Sequence, residues 1–167
     1  MAEKNFNFYA RPSEAVAKAL LNANIIRKLP TGDIKGKIIE TGAYEGGSPT
    51  KSRKGMLYKP GTVFLMPHRG LTSINIATGE EYMASCVEIR AAQFEEQLIE
   101  TPYKLANFLS ISYKDISKNL DGKLIGDELF IEPLGKCLPD SQIVFKRPIS
   151  KSDNCIGYYS IEKKSAF

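Results

Sequence analysis

Short runs of β-branched and alternating apolar residues recur along this chain, and proline or glycine breaks several of them. That pattern favours a sheet over a helical bundle. Lys37–Ala43 (KIIETGA), Thr62–Met66 (TVFLM), Thr72–Thr78 (TSINIAT) and Ser85–Ala91 (SCVEIRA) read as strands, with Pro67, Gly70 and Gly79 as breaks between them. Asp127–Glu132, Gln142–Lys146 and Cys155–Ile161 extend the strand-rich character into the second half. Helical spacing is confined to two segments. Ser13, after Pro12, is expected to cap a helix running to about Asn24, with Ala15, Val16, Ala19, Leu20 and Ala23 on one face. A second helix is expected from Pro102, with Thr101 as cap and Leu105, Phe108 and Leu109 on one face. There is no internal repeat, low-complexity tract or clear linker. The expectation is a single α+β domain over residues 1–167, a curved and mostly antiparallel sheet carrying a few helices.

Composition narrows the function classes. At 167 residues and 43% hydrophobic content the chain can bury a real core, and no run approaches 18 consecutive apolar residues. The opening MAEKNFNFYARP lacks the apolar centre of a secretory signal. Three scattered cysteines (Cys86, Cys137, Cys155) and one histidine (His68) offer neither a disulfide framework nor zinc-ligand spacing. A reducing, intracellular setting and chemistry without metal or cofactor are expected.

Charge is unevenly spread. Residues 1–75 hold 12 basic and 5 acidic residues, a balance of +7, whereas 76–167 hold 11 and 14, a balance of −3. From Gly46 to Asn75 there is no acid, against Lys51, Arg53, Lys54, Lys59 and Arg69. A second basic run comprises Lys146, Arg147 and Lys151. Such stretches suit a phosphate backbone, although a solvated basic face has the same composition.

Several segments, taken in order, resemble the alkyladenine (3-methyladenine) DNA glycosylase family. Phe8-Tyr9 and Val16–Leu21 are similar to its opening helix, and Gly36–Tyr44 (GKIIETGAY) to its active-site strand. Gly55–Thr62 (GMLYKPGT) resembles its KPGT turn, Asn75-Ile76 the end of the following strand, and Ile89-Arg90-Ala91 its IRA segment. Lys104–Ile111 (KLANFLSI) is similar to a later helix, and Gly157-Tyr158-Tyr159 to the closing strand. The resemblance implies a monomer acting on double-stranded DNA with a damaged purine. It would flip the base out and hydrolyse its N-glycosidic bond in base excision repair. A carboxylate would orient water and face the positive charge that develops on the sugar.

Residue by residue, the resemblance implies that Tyr44 stacks on the flipped base and that Asn75 screens its edge. Arg90 would hold the catalytic carboxylate and its water, or would pair with Glu88 on its own strand. Gly42 stands where the family has its water-activating glutamate. Glu40 is then the candidate carboxylate. Strand alternation puts it on the face of Gly42 but about 6–7 Å along the chain, and the family carries a glutamate at that position as well. Glu45 is the other acid close by. The loop after Tyr44 is short and lacks the family's base-stacking histidine, and His68 reads as a surface residue. Met66 and Arg69 replace tyrosines, the first lining the base pocket and the second wedging into the duplex. DNA-facing cations would be Lys51, Arg53, Lys54, Lys59 and Arg69.

Three readings stay open at this point. They are an active glycosylase, a catalytically inactive relative that binds DNA or recognises lesions, and a small RNA- or protein-binding module. Which lesion would be excised does not follow from the residues.

Overall fold

A computed structural model describes residues 8–46, 58–80, 85–112, 128–148 and 155–162, together with the backbone of 123–124. Lys51, Arg53, Lys54 and Lys151 lie outside these residues.

A single twisted sheet organises the chain. Its strands are β1 (Asn24–Arg27), β2 (Ile34–Tyr44), β3 (Thr62–His68), β4 (Leu71–Thr78), β5 (Ser85–Phe94), β6 (Gln97–Ile99), β7 (Lys123–Leu124), β8 (Leu129–Glu132), β9 (Ile143–Lys146) and β10 (Cys155–Ile161). The order is β7-β3-β4-β5-β2-β1-β8, and every pairing is antiparallel. Strand β2 is long enough to hold two partners on one edge. Its first residues pair with β1 and its last with β10, which in turn carries β9. Irregular register at Ile38–Thr41 bends β2 between those two partners. Two helices, α1 (Ser13–Ala19) and α2 (Pro102–Phe108), pack against the sheet. The expected α+β architecture is thereby present.

The two faces of the sheet differ in chemistry, as period-two alternation demands. One face buries Ile38, Ala43, Leu65, Ile74, Ile76, Val87 and Ile89 against α1 and α2, together with Tyr159. Thr41 on this face donates its hydroxyl to the Ala17 carbonyl at 2.9 Å, tying β2 to α1. The other face carries Tyr44, Phe64, Cys86 and Ala77 in a smaller cluster. The candidate residues Tyr44, Met66, Asn75 and Arg90 lie on that second face.

Several local expectations need correction. Helix α1 ends at Ala19 rather than near Asn24, because Asn22 turns left-handed (φ 66°) and its N–H bonds the Ile38 carbonyl. The chain is thereby redirected into β1, which periodicity alone did not announce. Ser13 is the first helical residue and not the cap. Its N–H and hydroxyl both donate to the Glu45 carboxylate, at 2.9 and 3.0 Å, so a distant acid supplies the N-terminal partner. Strand β3 continues through Pro67 to His68. Among the described residues β7 pairs only with Thr62 and Val63, so none of them pairs with the Pro67 end of that edge. Thr101, as expected, accepts the Lys104 N–H at the start of α2.

Among the described residues no helix is long and apolar enough to cross a membrane. All three cysteines are free thiols.

Candidate active site

One rung of cross-strand partners spans five strands of the second face. It runs Tyr158 (β10), Gly42 (β2), Glu88 (β5), Asn75 (β4) and Phe64 (β3). Over this rung and its neighbours lies a cavity of about 500 Å³, lined by Tyr44, Met66, Pro67, His68, Ser73, Glu88, Arg90, Pro102, Tyr103 and Tyr158. That volume lies within the range of sites for small organic groups, roughly 300–1,000 Å³. Two other depressions, of about 420 and 550 Å³, flank Phe94 at the opposite end of β2 and gather no comparable set of aromatic and charged groups.

Arg90 is the hub. Its Nε donates to Glu40 at 2.8 Å and its Nη1 to Glu88 at 2.5 Å, and its guanidinium lies 4.0 Å from the centre of the Tyr158 ring. Strand parity explains the gathering. Arg90 and Glu88 are two residues apart on β5, so both side chains leave the same face, and Glu40 and Gly42 do likewise on β2. Burial opposes the charge on Arg90, but the Glu88 carboxylate and the bond from Glu40 outweigh it and push its pKa above the ordinary arginine value. Two carboxyl groups thus share one guanidinium.

Burial, and then the negative charge of Glu88, raise the Tyr44 phenol well above the ordinary tyrosine range. It therefore remains a neutral donor at physiological pH. Burial also raises the Tyr158 phenol and the Cys155 thiol beside it. At the rim, His68 stacks on Tyr103, with centroids 5.7 Å apart and planes inclined by 16°.

The structure brings together some of the residues singled out in the sequence and separates others. Tyr44, Met66 and Arg90 line the cavity. Asn75 does not. It is fully buried, and its Nδ2 donates to the Ser73 hydroxyl at 3.1 Å, so it orients a lining residue. Its Oδ1 has no hydrogen-bond partner among the described residues. Glu40 stands behind Arg90, outside the lining, with its side chain 36% exposed. Glu45 is engaged at the start of α1. Lys59 precedes β3, whereas Arg69 is exposed at the tip of the β3–β4 hairpin, so a seven-residue strand separates them. Arg69 and Gly70 have positive φ (50° and 80°), the signature of a tight two-residue hairpin turn.

Glu88, Ser73, Tyr103 and Tyr158 are lining residues to which sequence reasoning gave no role in the site. For Glu88 a signal existed: it is the one acid of β5 and has the same parity as Arg90. His68, read as a surface residue, is exposed and also forms part of the rim. Among the described residues no group of three or more histidine, cysteine, aspartate or glutamate side chains is arranged to hold a metal ion.

Known proteins are similar to this chain over much of its length. The profile of the methylpurine-DNA glycosylase (MPG) family matches residues 7–150. A protein of Synechococcus elongatus, provisionally named a 3-methyladenine DNA glycosylase, is 31% identical over 159 residues, covering 84% of this chain and 79% of its own. A Carboxydothermus hydrogenoformans protein with the same provisional name is 31% identical over 139 residues, or 69% and 73% of the two chains. Human DNA-3-methyladenine glycosylase is 32% identical over 114 residues, which cover 61% of this chain but only 37% of the human protein. With residues 7–150 matched in one continuous span, the chain belongs to the methylpurine-DNA glycosylase family.

Proposed function

We propose that this protein removes an N-alkylated purine from double-stranded DNA by hydrolysing its N-glycosidic bond. The observation that carries the reading is the cavity itself, where a guanidinium is held between two carboxylates beside Tyr44, Tyr103 and Tyr158. Aromatic walls suit a flat base, and a cationic alkylpurine gains more from π faces than a neutral one does. The reacting atom would be C1′ of the flipped nucleotide. As the C1′–N bond breaks, its electron pair leaves with the base, and a cationic alkylpurine departs as a neutral molecule without needing a proton. Water then adds to C1′ and releases its own proton to solvent.

In this reading Tyr44 and Met66 contact the base, and Arg90 orients the carboxylates. Asn75 acts through Ser73. The β3–β4 hairpin, adjoining the cavity through Met66, Pro67 and His68, enters the duplex with Arg69 and the half-exposed Leu71 at its tip. The exposed cations Lys59 and Arg69 contribute phosphate contacts, to which Lys51, Arg53 and Lys54 add in the same way.

Gly42 favours a second reading, a relative that binds damaged DNA without cleaving it. The space a side chain at 42 would enter is occupied by Tyr158 and Arg90. Incubation with N-methylated duplex under protein excess, with chromatography of the free bases, separates the two. The glycosylase reading expects release at least about tenfold above spontaneous depurination, a difference of about 1.4 kcal/mol in barrier. Binding with release at the spontaneous rate supports the second.

A further inference from the structure

Gly42 and Glu88 are direct partners across β2 and β5, so their Cβ positions would lie about 4.5–5.5 Å apart on the face that floors the cavity. Position 42 has no carboxylate, and position 88 has one. Among the described lining residues Glu88 is the sole carboxylate, and its side chain is fully buried while Arg90 remains 22% exposed. A buried acid on a strand face is costly unless it is paired and put to use, and here one guanidinium bonds two acids. Among the other described lining residues there is no aspartate, lysine or further arginine.

Resting on the glycosylase reading above, we infer that Glu88 is the electrostatic partner of the reaction, the fixed negative charge that faces the cationic base and the developing oxocarbenium ion. It does this through space from beneath the floor, and it abstracts no proton. Burial suits the task, because a charge held out of water acts across a lower dielectric and needs no reorganisation as the bond breaks. The covalent step stays balanced without it. The C1′–N electron pair leaves with the base, water adds to C1′, and the water proton goes to solvent. Arg90 holds Glu88 in place and Glu40 completes the pairing, so Glu88 is a positioning charge rather than a group in contact with the substrate.

Affinity for two abasic-nucleotide mimics, one charged and one neutral, tests this separately from chemistry. One duplex carries a cationic pyrrolidine abasic nucleotide and the other its neutral tetrahydrofuran analogue. Wild type should prefer the cationic duplex by at least about tenfold. Glu88→Gln, which keeps the shape and removes the charge, should bind the tetrahydrofuran duplex as wild type does and lose most of the preference. Its release of methylated purine should fall about 10²–10³-fold, the scale of removing one preorganised electrostatic group. Glu88→Asp, retaining the charge, should recover a large part of both, which a purely structural role would not produce. Melting curves identify any variant that fails to fold, and in that event Glu88→Asp measured against wild type carries the comparison. If Glu88→Gln keeps the cation preference and the release rate within about threefold, Glu88 has no such role while the glycosylase reading stands. If wild type itself releases no base and shows no cation preference, both inferences fall together.

Discussion

The Tyr158 ring lies directly over Gly42. A Cβ built at position 42 would sit 3.1 Å from Tyr158 Cδ1 and 3.3 Å from Arg90 Cδ, and those two side chains are stacked on each other. The glycine is therefore part of how Arg90 is placed. Gly42→Ala gains about 0.4–1 kcal/mol from reduced unfolded-state freedom, but it crowds two mutually packed side chains at a cost of about 1–3 kcal/mol. A net loss of about 1 kcal/mol is expected, lowering the melting temperature by about 2–4 °C for a chain of this size. Adding Tyr158→Ala should remove the crowding penalty, which thermal melts of the single and double variants would show. By the same geometry, Gly42→Glu alone should not speed base release.

Arg90 neutralises a fully buried acid. Arg90→Met removes the guanidinium from Glu88, and breaking a buried pair from one side costs about 3–5 kcal/mol. Urea unfolding should show that loss, and Arg90→Met combined with Glu88→Gln should be more stable than Arg90→Met alone. Equal stability of the two would mean that Glu88 finds its compensation elsewhere.

Glu45 accepts from both the N–H and the hydroxyl of Ser13 at the start of α1. Glu45→Ala should cost about 0.5–2 kcal/mol, the usual scale of losing an N-terminal helix partner. Base release measured well below the melting temperature should be unchanged. A drop in release with no change in melting would give Glu45 a place in the chemistry.

Much of the fold was legible because strand parity and helix caps are local signals. The Cys155–Ile161 strand and the Thr101 cap stand as expected, and Glu40, Gly42 and Tyr44 share a face because alternation requires it. The non-local terms were not legible. Nothing near Ser13 in sequence shows that Glu45, 32 residues away, would meet it, and Asn22 gives little warning that it leaves the helix. The site divided along the same line. Tyr44 and Arg90 came from a family resemblance tied to short motifs, and strand parity places Glu88 beside Arg90, but its position opposite Gly42 follows from cross-strand register, which a single sequence does not reveal. Tyr103 and Tyr158 reach it from segments more than 50 residues apart, at the start of α2 and on β10.

The hairpin tip offers two separable contributions. Arg69→Ala should weaken binding to any duplex and reduce the salt dependence of the affinity by about one phosphate contact. Leu71, 51% exposed beside it, has no charge to contribute. Leu71→Ala should weaken binding to damaged duplex several-fold and leave the salt slope unchanged, as expected for an apolar wedge. Fluorescence titrations at several salt concentrations distinguish the two.

A cavity with aromatic walls and a buried acid in its floor should discriminate among damaged bases by charge. Single-turnover release, measured on matched duplexes carrying 7-methylguanine or 3-methyladenine on one side and hypoxanthine or ethenoadenine on the other, addresses this directly. The cationic bases should be released well above their spontaneous rates, and the neutral ones should stay at background. Release of neutral bases as fast as the cationic ones would contradict the role given to the Glu40, Arg90 and Glu88 group.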